Sequence, residues 1–411
     1  MPSAIVSKLS HLNPVTSAPA GRAGWQQQHV QVDYSFPVVA TRDAFDPLNA
    51  DFRSVLTLRE PGRRHRVAVF LDAGVALAMP DLAAQIQAYA AFHADAIEIV
   101  GEIVLVAGGE ACKNDEHLVA ALIEALSSRA IDRHSYAVAI GGGAVLDAVG
   151  YAAAIFHRGV RHIRFPTTVL AQDDSGVGVK NAVNWRGQKN LIGTFAPPWA
   201  VINDSRFIDL LPPREKRAGM AEAVKVALIR DRAFFLWLER QAAALAAFDS
   251  DALDDLISRS AALHMHQIAH GGDPFESGSA RPLDYGHWVA HKLERLSAHA
   301  LSHGEAVAIG LALDARYSVL AGLLAAGEDE RIHRLLTRLG FTLWHAQLLA
   351  KADDGRLLVL QGLAEFKAHL GGELTLTLLA GLGRGVEVHE VDAALVAEAI
   401  AWLQQHIAAA L

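Results

Sequence analysis

Apolar and polar positions follow two different periods along this chain, and the period changes near residue 205. In the first half, short apolar runs alternate with amphipathic stretches. Residues 29–36 (HVQVDYSF), 66–71 (RVAVFL), 136–140 and 162–165 read as strands, and residues 96–106 contain an apolar, β-rich run. Residues 80–93, 115–128 and the stretch from Gly143 to 156 carry helical spacing. This alternation predicts an α/β arrangement with a mainly parallel sheet and helices on both faces. The second half is mainly α-helical, with apolar residues three and four apart over residues 214–246, 251–270, 286–298 and 304–326. Residues 373–379 (ELTLTLL) alternate as a strand would, and residues 391–410 form a closing amphipathic helix. The pattern therefore divides the chain into 1–205 and 206–411, with no internal repeat. Residues 10–28 are rich in Pro, Gln and Gly, so residues 1–28 are expected to be mobile.

Composition narrows the class. The 411 residues are 52 % apolar and 20 % charged, enough for real cores and unlike a disordered chain. With 37 basic and 45 acidic residues the net charge is −8, which argues against nucleic-acid and anionic-membrane partners. A single cysteine, Cys112, excludes a disulfide framework and a Cys-rich zinc site. No run approaches ~18 uninterrupted apolar residues, and the N-terminus lacks the apolar segment of a signal peptide. The expectation is a cytoplasmic protein. Only nine of the basic residues are lysines. Either this reflects codon usage, or lysine marks places where a compact point charge is needed.

Three groups of residues carry candidate chemistry. The strand AVAI runs into GGGAVLDAVG, so Gly141–Gly143 lead into a helix whose free N–H groups can meet an anion; a plain tight turn is the alternative. Asp147 lies one turn into that helix, and Asp72 ends the strand RVAVFL, where sheets of this class bind ligands. The second group is Glu222, His287, His291 and His303, from which one carboxylate and two imidazoles would make a zinc set. Spacing alone nominates the i,i+4 pair His287/His291, although a chain with 20 histidines also produces such pairs by chance. The third group is basic: Lys180, Lys189, Lys225, Arg158 and His291 suit a phosphorylated substrate, or else are ordinary surface charge.

The segments GGGAVLD, FHRGVRHIRFPTTVLAQDDSGVGVK, KNLIG, LPPREKRAGMAEAVK, DYGHWVAH and HGEAVAIG occur in that order. Together they resemble the sugar phosphate cyclase superfamily, whose central member is 3-dehydroquinate synthase, over about residues 66–385. The resemblance implies an NAD-binding α/β domain, a helical metal- and substrate-binding domain, a homodimer and a divalent metal, zinc or cobalt. It assigns the metal to Glu222, His287 and His303, and moves His291 to phosphate contact. It places Asp174, Lys180, Asn190 and Lys225 against the substrate, sends Arg158 to the neighbouring subunit's phosphate site, and matches Lys367 to a phosphate-binding lysine. It matches Asp72, Glu110, Lys113, Gly142, Gly143, Asp147, Thr167, Thr168 and Lys189 to NAD contacts. Five of the nine lysines fall on matched positions. The implied reaction is redox-neutral: transient oxidation of a ring hydroxyl, β-elimination of phosphate, return of the hydride, ring opening and internal aldol closure.

The departures bear on the substrate. 3-Dehydroquinate synthase holds a substrate carboxylate with a lysine and an arginine, whose positions align here with His266 and Ala280. The asparagine before the GH motif is Asp284, and Arg281 is an adjacent cation that could compensate. The segment ARPLDYGH resembles the ARPxDFGH pattern of 2-epi-5-epi-valiolone synthases, which cyclise sedoheptulose 7-phosphate. Those enzymes usually lose the second histidine of the GHxxxH motif, whereas His291 is kept. A separate branch of cyclases acting on sedoheptulose 7-phosphate or a close seven-carbon ketose phosphate is the expectation. The rivals are 3-dehydroquinate synthase proper, a metal-dependent polyol dehydrogenase, and a binding protein derived from a cyclase.

Overall fold

The computed structural model describes residues 28–186, 188–271, 282–370 and 373–408. The expectation for residues 1–28 therefore lies almost wholly outside the described residues, as do Ala280 and Arg281.

The first half builds a parallel sheet. Its strands are β1 (Val38–Thr41), β2 (His65–Asp72), β3 (Ile97–Ile99), β4 (Val104–Val106), β5 (Tyr136–Gly141), β6 (Arg161–Pro166) and β9 (Ala200–Asp204), in the order β1-β9-β6-β5-β2-β3, with β4 also on β2. Every one of these pairings is parallel. β5 is buried at all its positions, as a strand covered on both faces must be. Alternate residues of β2 feed two cores. Val67, Val69 and Leu71 pack with Phe52 and Phe165 on one face, and Ala68 and Phe70 with Leu146 and Val149 on the other. The helices α1 (Asp51–Thr57), α2 (Ala73–Ala78), α3 (Leu82–Phe92), α4 (Leu118–Ser128) and α5 (Gly143–Ile155) join the strands. After β2 the chain moves to β3 and β4 on one side; after β5 it moves to β6 and β9 on the other. The crevice at the C-terminal ends of β2 and β5 is thus the switch point at which such sheets bind ligands. An antiparallel hairpin of β7 (Lys180–Trp185) and β8 (Gln188–Phe195) lies between β6 and β9 in the chain.

From Ser205 onward the chain is mainly helical: α6 (Ser205–Asp209), α7 (Pro213–Arg230), α8 (Arg232–Ala246), α9 (Ser250–His270), α10 (His287–Leu296), α11 (His303–Leu320), α12 (Glu328–Arg338) and α13 (Gln361–Leu370). A small hairpin of β10 (Leu376–Gly381) and β11 (Arg384–Val388) and the last helix α14 (Ala393–Ala408) complete it. α7 is buried continuously from Ala218 to Ile229, Glu222 and Lys225 included. Such a helix shows no polar face, and its charged side chains must find partners inside the protein. α11 crosses α7 and α10 at glycines. A Cβ on Gly304 would lie 1.9 Å from the Ala218 carbonyl oxygen, and one on Gly310 would lie 2.1 Å from that of Gly286. No helix among the described residues is long and apolar enough to cross a membrane.

Several sequence expectations change. Residues 28–37 form no strand, and the first strand is β1 instead; alternation makes a strand only where a neighbouring ladder takes its N–H and C=O groups. The run 96–106 is broken into β3 and β4. The expected helix 214–246 is two helices, because Asp231 is extended (φ −145°) and caps the N–H groups of Ala233 and Phe234. The expected helix 304–326 stops at Leu320.

Alanine at Gly304 or Gly310 should force α11 off its neighbours and cost about 1–3 kcal/mol in urea denaturation. Wild-type stability in both variants would show that the close approach is not required.

Candidate functional site

Three helices bring one carboxylate and two imidazoles together. Glu222 comes from the buried middle of α7, and His287 and His303 are the first residues of α10 and α11. Glu222 Oε1 lies 3.6 Å from His287 Nε2 and 3.4 Å from His303 Nε2, and one ligand atom from each of the three residues falls within 4.8 Å of the others. Glu222 Oε1 accepts no well-formed hydrogen bond. A buried, under-satisfied carboxylate facing two imidazole nitrogens fits a divalent metal with an open coordination position.

The partners of each ligand prepare it. His287 Nδ1–H donates to the Tyr285 carbonyl (3.0 Å), which leaves the Nε2 lone pair aimed at Glu222. His303 Nδ1–H donates to Glu294 Oε1 (2.7 Å). A capping box between Ser302 and Glu305 starts α11 and so places His303. Asp314 of α11 clamps the start of α10, accepting the Trp288 indole N–H (3.0 Å) and the Gly286 N–H (3.2 Å) on either side of His287. Burial pushes the Asp314 carboxyl up to about 7.

Charge is distributed around Glu222. Lys225 Nζ contacts Glu222 Oε2 and leaves Oε1 to the imidazoles. Lys225 also lies 3.8 Å from Asp174 Oδ1, which His264 Nδ1 approaches to 2.9 Å. Burial alone would raise the Glu222 carboxyl, but Lys225, His303 and His287 together outweigh it and bring it to about 2. Asp174 behaves alike: Lys225 and His264 overcome burial and hold it well below the usual range. Its chain neighbour Asp173 is fully buried, and burial pushes that carboxyl well up. Burial lowers His303, but Glu222 and Glu294 outweigh it and bring the imidazole to about 9. Burial and Lys225 lower His287.

The spacing argument for His287/His291 is only partly met. The His291 ring lies 5.4 Å from that of His287 and 6.0 Å from that of His303, and His291 belongs to a second set with Glu294 and His303. Asp284 sits half-buried in the turn before Tyr285, close enough to raise Lys225 and to oppose the lowering of His287.

At the sheet switch point, Gly142 caps α5 with no side chain on the helix N–H groups. A Cβ on its neighbour Gly143 would lie 2.7 Å from Ser175 Oγ, so alanine there would require that hydroxyl to turn away. Thr167 N–H donates to the Gly141 carbonyl (3.0 Å), and Thr168 Cγ2 lies near Gly142. This backbone cradle fits a pyrophosphate. Asp72 caps α2, accepting the N–H groups of Gly74 and Val75 (2.7 and 3.4 Å). Buried Lys113 donates to Asp147 Oδ2 (2.7 Å) and to Asn190 Oδ1. Burial nevertheless pushes the Asp147 carboxyl up. Glu110 accepts from Asn184 (3.1 Å), and Lys189 Nζ lies 3.2 Å from Glu294 Oε2.

Three expected residues occupy exposed positions. Lys180 is exposed at the start of β7. Lys367 is exposed on α13, which packs on α10 where Gly362 meets the Trp288 carbonyl. Arg158 is exposed after α5, whose 13 residues put it about 20 Å from the glycine turn.

Sequence reasoning missed Glu294, His264, Asp314 and Arg164. Arg164 is fully buried and holds the loop between Asp174 and β7, donating to the carbonyls of Gly176, Gly178 and Lys180 and to Asn181 Oδ1 (2.7–3.1 Å). The S-x-x-E signature before α11 was a readable local signal for His303.

Comparison with known proteins gives a consistent result. Residues 103–218 match the family described as 3-dehydroquinate synthase N-terminal, and residues 219–357 match 3-dehydroquinate synthase C-terminal. The chain is 40 % identical over 256 residues to the 3-dehydroquinate synthase of Pelobacter propionicus, covering 62 % of this chain and 69 % of that protein. It is 38 % identical over 309 residues to that of Xanthomonas campestris, covering 74 % and 81 %. Among solved structures it is similar to ValA, a 2-epi-5-epi-valiolone synthase from Streptomyces hygroscopicus with NAD+ and Zn2+ bound (TM-score 0.80, 27 % identity, 93 % of this chain and 100 % of that one). It is also similar to 2-deoxy-scyllo-inosose synthase complexed with carbaglucose-6-phosphate, NAD+ and Co2+ (TM-score 0.72, 25 % identity, 90 % and 97 %).

Because burial is outweighed by Glu222 and Glu294 and the His303 imidazole is brought to about 9, a zinc ion ligated by His303 would displace a proton from it. Calorimetric zinc titration of metal-free protein in buffers of different ionisation enthalpy should show release of about one proton at pH 7.5, falling towards none above pH 9. By the same sign, His303 stabilises the metal-free fold fully below its unfolded value near 6.5. That contribution is lost as pH rises through 9, so urea midpoints should fall across this window. A release that does not change with pH would remove His303 from the ligand set.

Proposed function

The chain belongs to the 3-dehydroquinate synthase family of sugar phosphate cyclases, and from that premise we propose that it cyclises a seven-carbon ketose phosphate, sedoheptulose 7-phosphate or a close relative, to a cyclitol with loss of inorganic phosphate. The observation that carries this reading is the convergence of Glu222, His287 and His303 beside the Lys225–Asp174 pair. We read residues 1–205 as the NAD-binding domain and 206–411 as the metal- and substrate-binding domain of a cytoplasmic homodimer.

In this reading Glu222, His287 and His303 hold zinc or cobalt. The glycine turn, with Asp72, Glu110, Lys113, Asp147, Thr167, Thr168 and Lys189, holds NAD. When bound, the dinucleotide accepts and returns a hydride, and the metal polarises the reacting hydroxyl and carbonyl oxygens. The chain's own residues do the positioning. Lys225 remains a cation and Asp174 an anion at neutral pH, a donor and an acceptor for vicinal hydroxyls. Lys180 and Asn190 face the substrate, His291 and Lys367 serve its phosphate, and Arg158, too far from its own glycine turn, serves the neighbouring subunit's phosphate site.

The substrate end distinguishes two members of the family. His266, at the position of the carboxylate-binding lysine, is exposed and stacked on His270. Asp284 adds negative charge beside the site, which opposes a substrate carboxylate and suits hydroxyl groups. The likeness to ValA supports this reading. The names of the sequence relatives favour the second reading, 3-dehydroquinate synthase proper.

Purified enzyme with NAD+ and Zn2+ should release phosphate from sedoheptulose 7-phosphate without net NADH accumulation. Release only from the carboxylated heptulosonate phosphate would establish the second reading. Net NADH would point instead to a polyol dehydrogenase.

A further inference from the structure

Glu294 lies outside the Glu222–His287–His303 set, although it groups with His291 and His303, and it touches both halves of the site. It lies on the second turn of α10 and is 5 % exposed. Its two oxygens serve different elements: Oε1 accepts from His303 Nδ1 (2.7 Å), and Oε2 lies 3.2 Å from Lys189 Nζ on β8. The next residue of β8, Asn190, accepts from Lys113, and Lys113 also holds Asp147 in α5, one turn beyond the glycine cradle. Asn190 itself is in the left-handed region (φ 56°), fixed there by its N–H bond to Asn184 Oδ1 (2.8 Å). A line of short polar contacts therefore runs from the metal-facing imidazole, through Glu294 and two consecutive residues of β8, to the helix that opens the cofactor cradle.

We propose that Glu294 is a positioning residue that links the two binding sites, so that metal and dinucleotide each strengthen the binding of the other. The physical reason is that one carboxylate orients two groups. It fixes the tautomer and direction of His303 for a metal. It also fixes where Lys189 holds β8, and with β8 the Asn190–Lys113–Asp147 contacts. When a metal draws electron density from His303, the Nδ1–H bond to Glu294 strengthens and the carboxylate is held in the geometry that also places Lys189. Ordering of β8 by the dinucleotide does the same in reverse. Coupling of this kind is reciprocal by thermodynamic necessity.

The inference rests on the proposed metal and NAD sites, and its test separates the two claims. Metal-free protein is titrated with Zn2+ against a chromophoric chelator, with and without saturating NAD+. NAD+ binding is followed by tryptophan fluorescence, with and without Zn2+. The wild type should bind each ligand on the order of tenfold more tightly in the presence of the other, with the same factor in both directions. Glu294→Gln should weaken Zn2+ about 10–100-fold, as loss of a carboxylate behind a ligating histidine does, and bring the coupling factor to one. Lys189→Met removes a proposed NAD contact as well as the second contact of Glu294, so it should weaken NAD+ itself, while Zn2+ affinity becomes the same with and without saturating NAD+ and the coupling factor falls to one. Because Lys189 is partly exposed, this variant keeps the test open if Glu294→Gln fails to fold, which circular dichroism would reveal. A coupling factor of one in the wild type, or full coupling in both variants, would overturn the proposal while leaving the sites intact. Failure of the wild type to bind Zn2+ or NAD+ at all would overturn the sites and the proposal together.

Discussion

A carboxylate buried in the middle of an apolar helix cannot stand alone, and the helical half of this protein is arranged around that requirement. Glu222 is 1 % exposed. Leaving its charge uncompensated would cost several kcal/mol. Lys225, one turn along the same helix, neutralises one oxygen, and two imidazoles from separate helices face the other. Those imidazoles arrive only because α11 packs backbone to backbone on α7 and α10 at Gly304 and Gly310. The electrostatic demand and the close helix crossings are two sides of one constraint.

The sheet meets a different demand with different means. Its crevice lies where the strand order reverses, between β2 and β5, and there the backbone N–H groups at the start of α5 carry no side-chain cap. The charged residues around it are largely spent on one another: Lys113 on Asp147 and Asn190, Glu110 on Asn184, and Asp72 on the start of α2. They hold the cradle's shape. Buried Arg164 has a comparable task, since its four hydrogen bonds secure the loop that runs from Asp174 into β7. The two halves of the site are thus built on opposite principles, a compensated buried charge on one side and a fixed set of backbone dipoles on the other.

The substrate end is decided by few residues. Lys225 and His264 both stand next to Asp174, and Asp284 adds negative charge in the turn that leads to His287. On the reading proposed above, this balance suits a polyhydroxylated ligand, whose groups can both donate and accept, rather than one that brings another carboxylate.

Much of this was legible in the sequence. Short continuous apolar runs, such as RVAVFL and YAVAI, marked strands that are buried on both faces, and the ordered set of motifs pointed to Glu222, His287 and His303 together. Local chemistry was readable too: the glycines after β5 and the S-x-x-E box before α11 act within a few residues of themselves. What the sequence could not show are relations between residues distant along the chain. The i,i+4 rule nominated His291 because it counts only neighbours on one helix, whereas Glu222 lies 65 residues before His287. Glu294 read as one more charge on an amphipathic helix until tertiary packing set it between His303 and Lys189. Residues 29–36 alternated like a strand, but alternation specifies only which side chains share a face; the chain becomes a strand only where a ladder exists to receive it. Composition and periodicity thus determined the class of fold and the types of group available. The packing of α7, α10 and α11 decided which of those groups met, because burial and distance, rather than residue type, fix what a charge must be paired with.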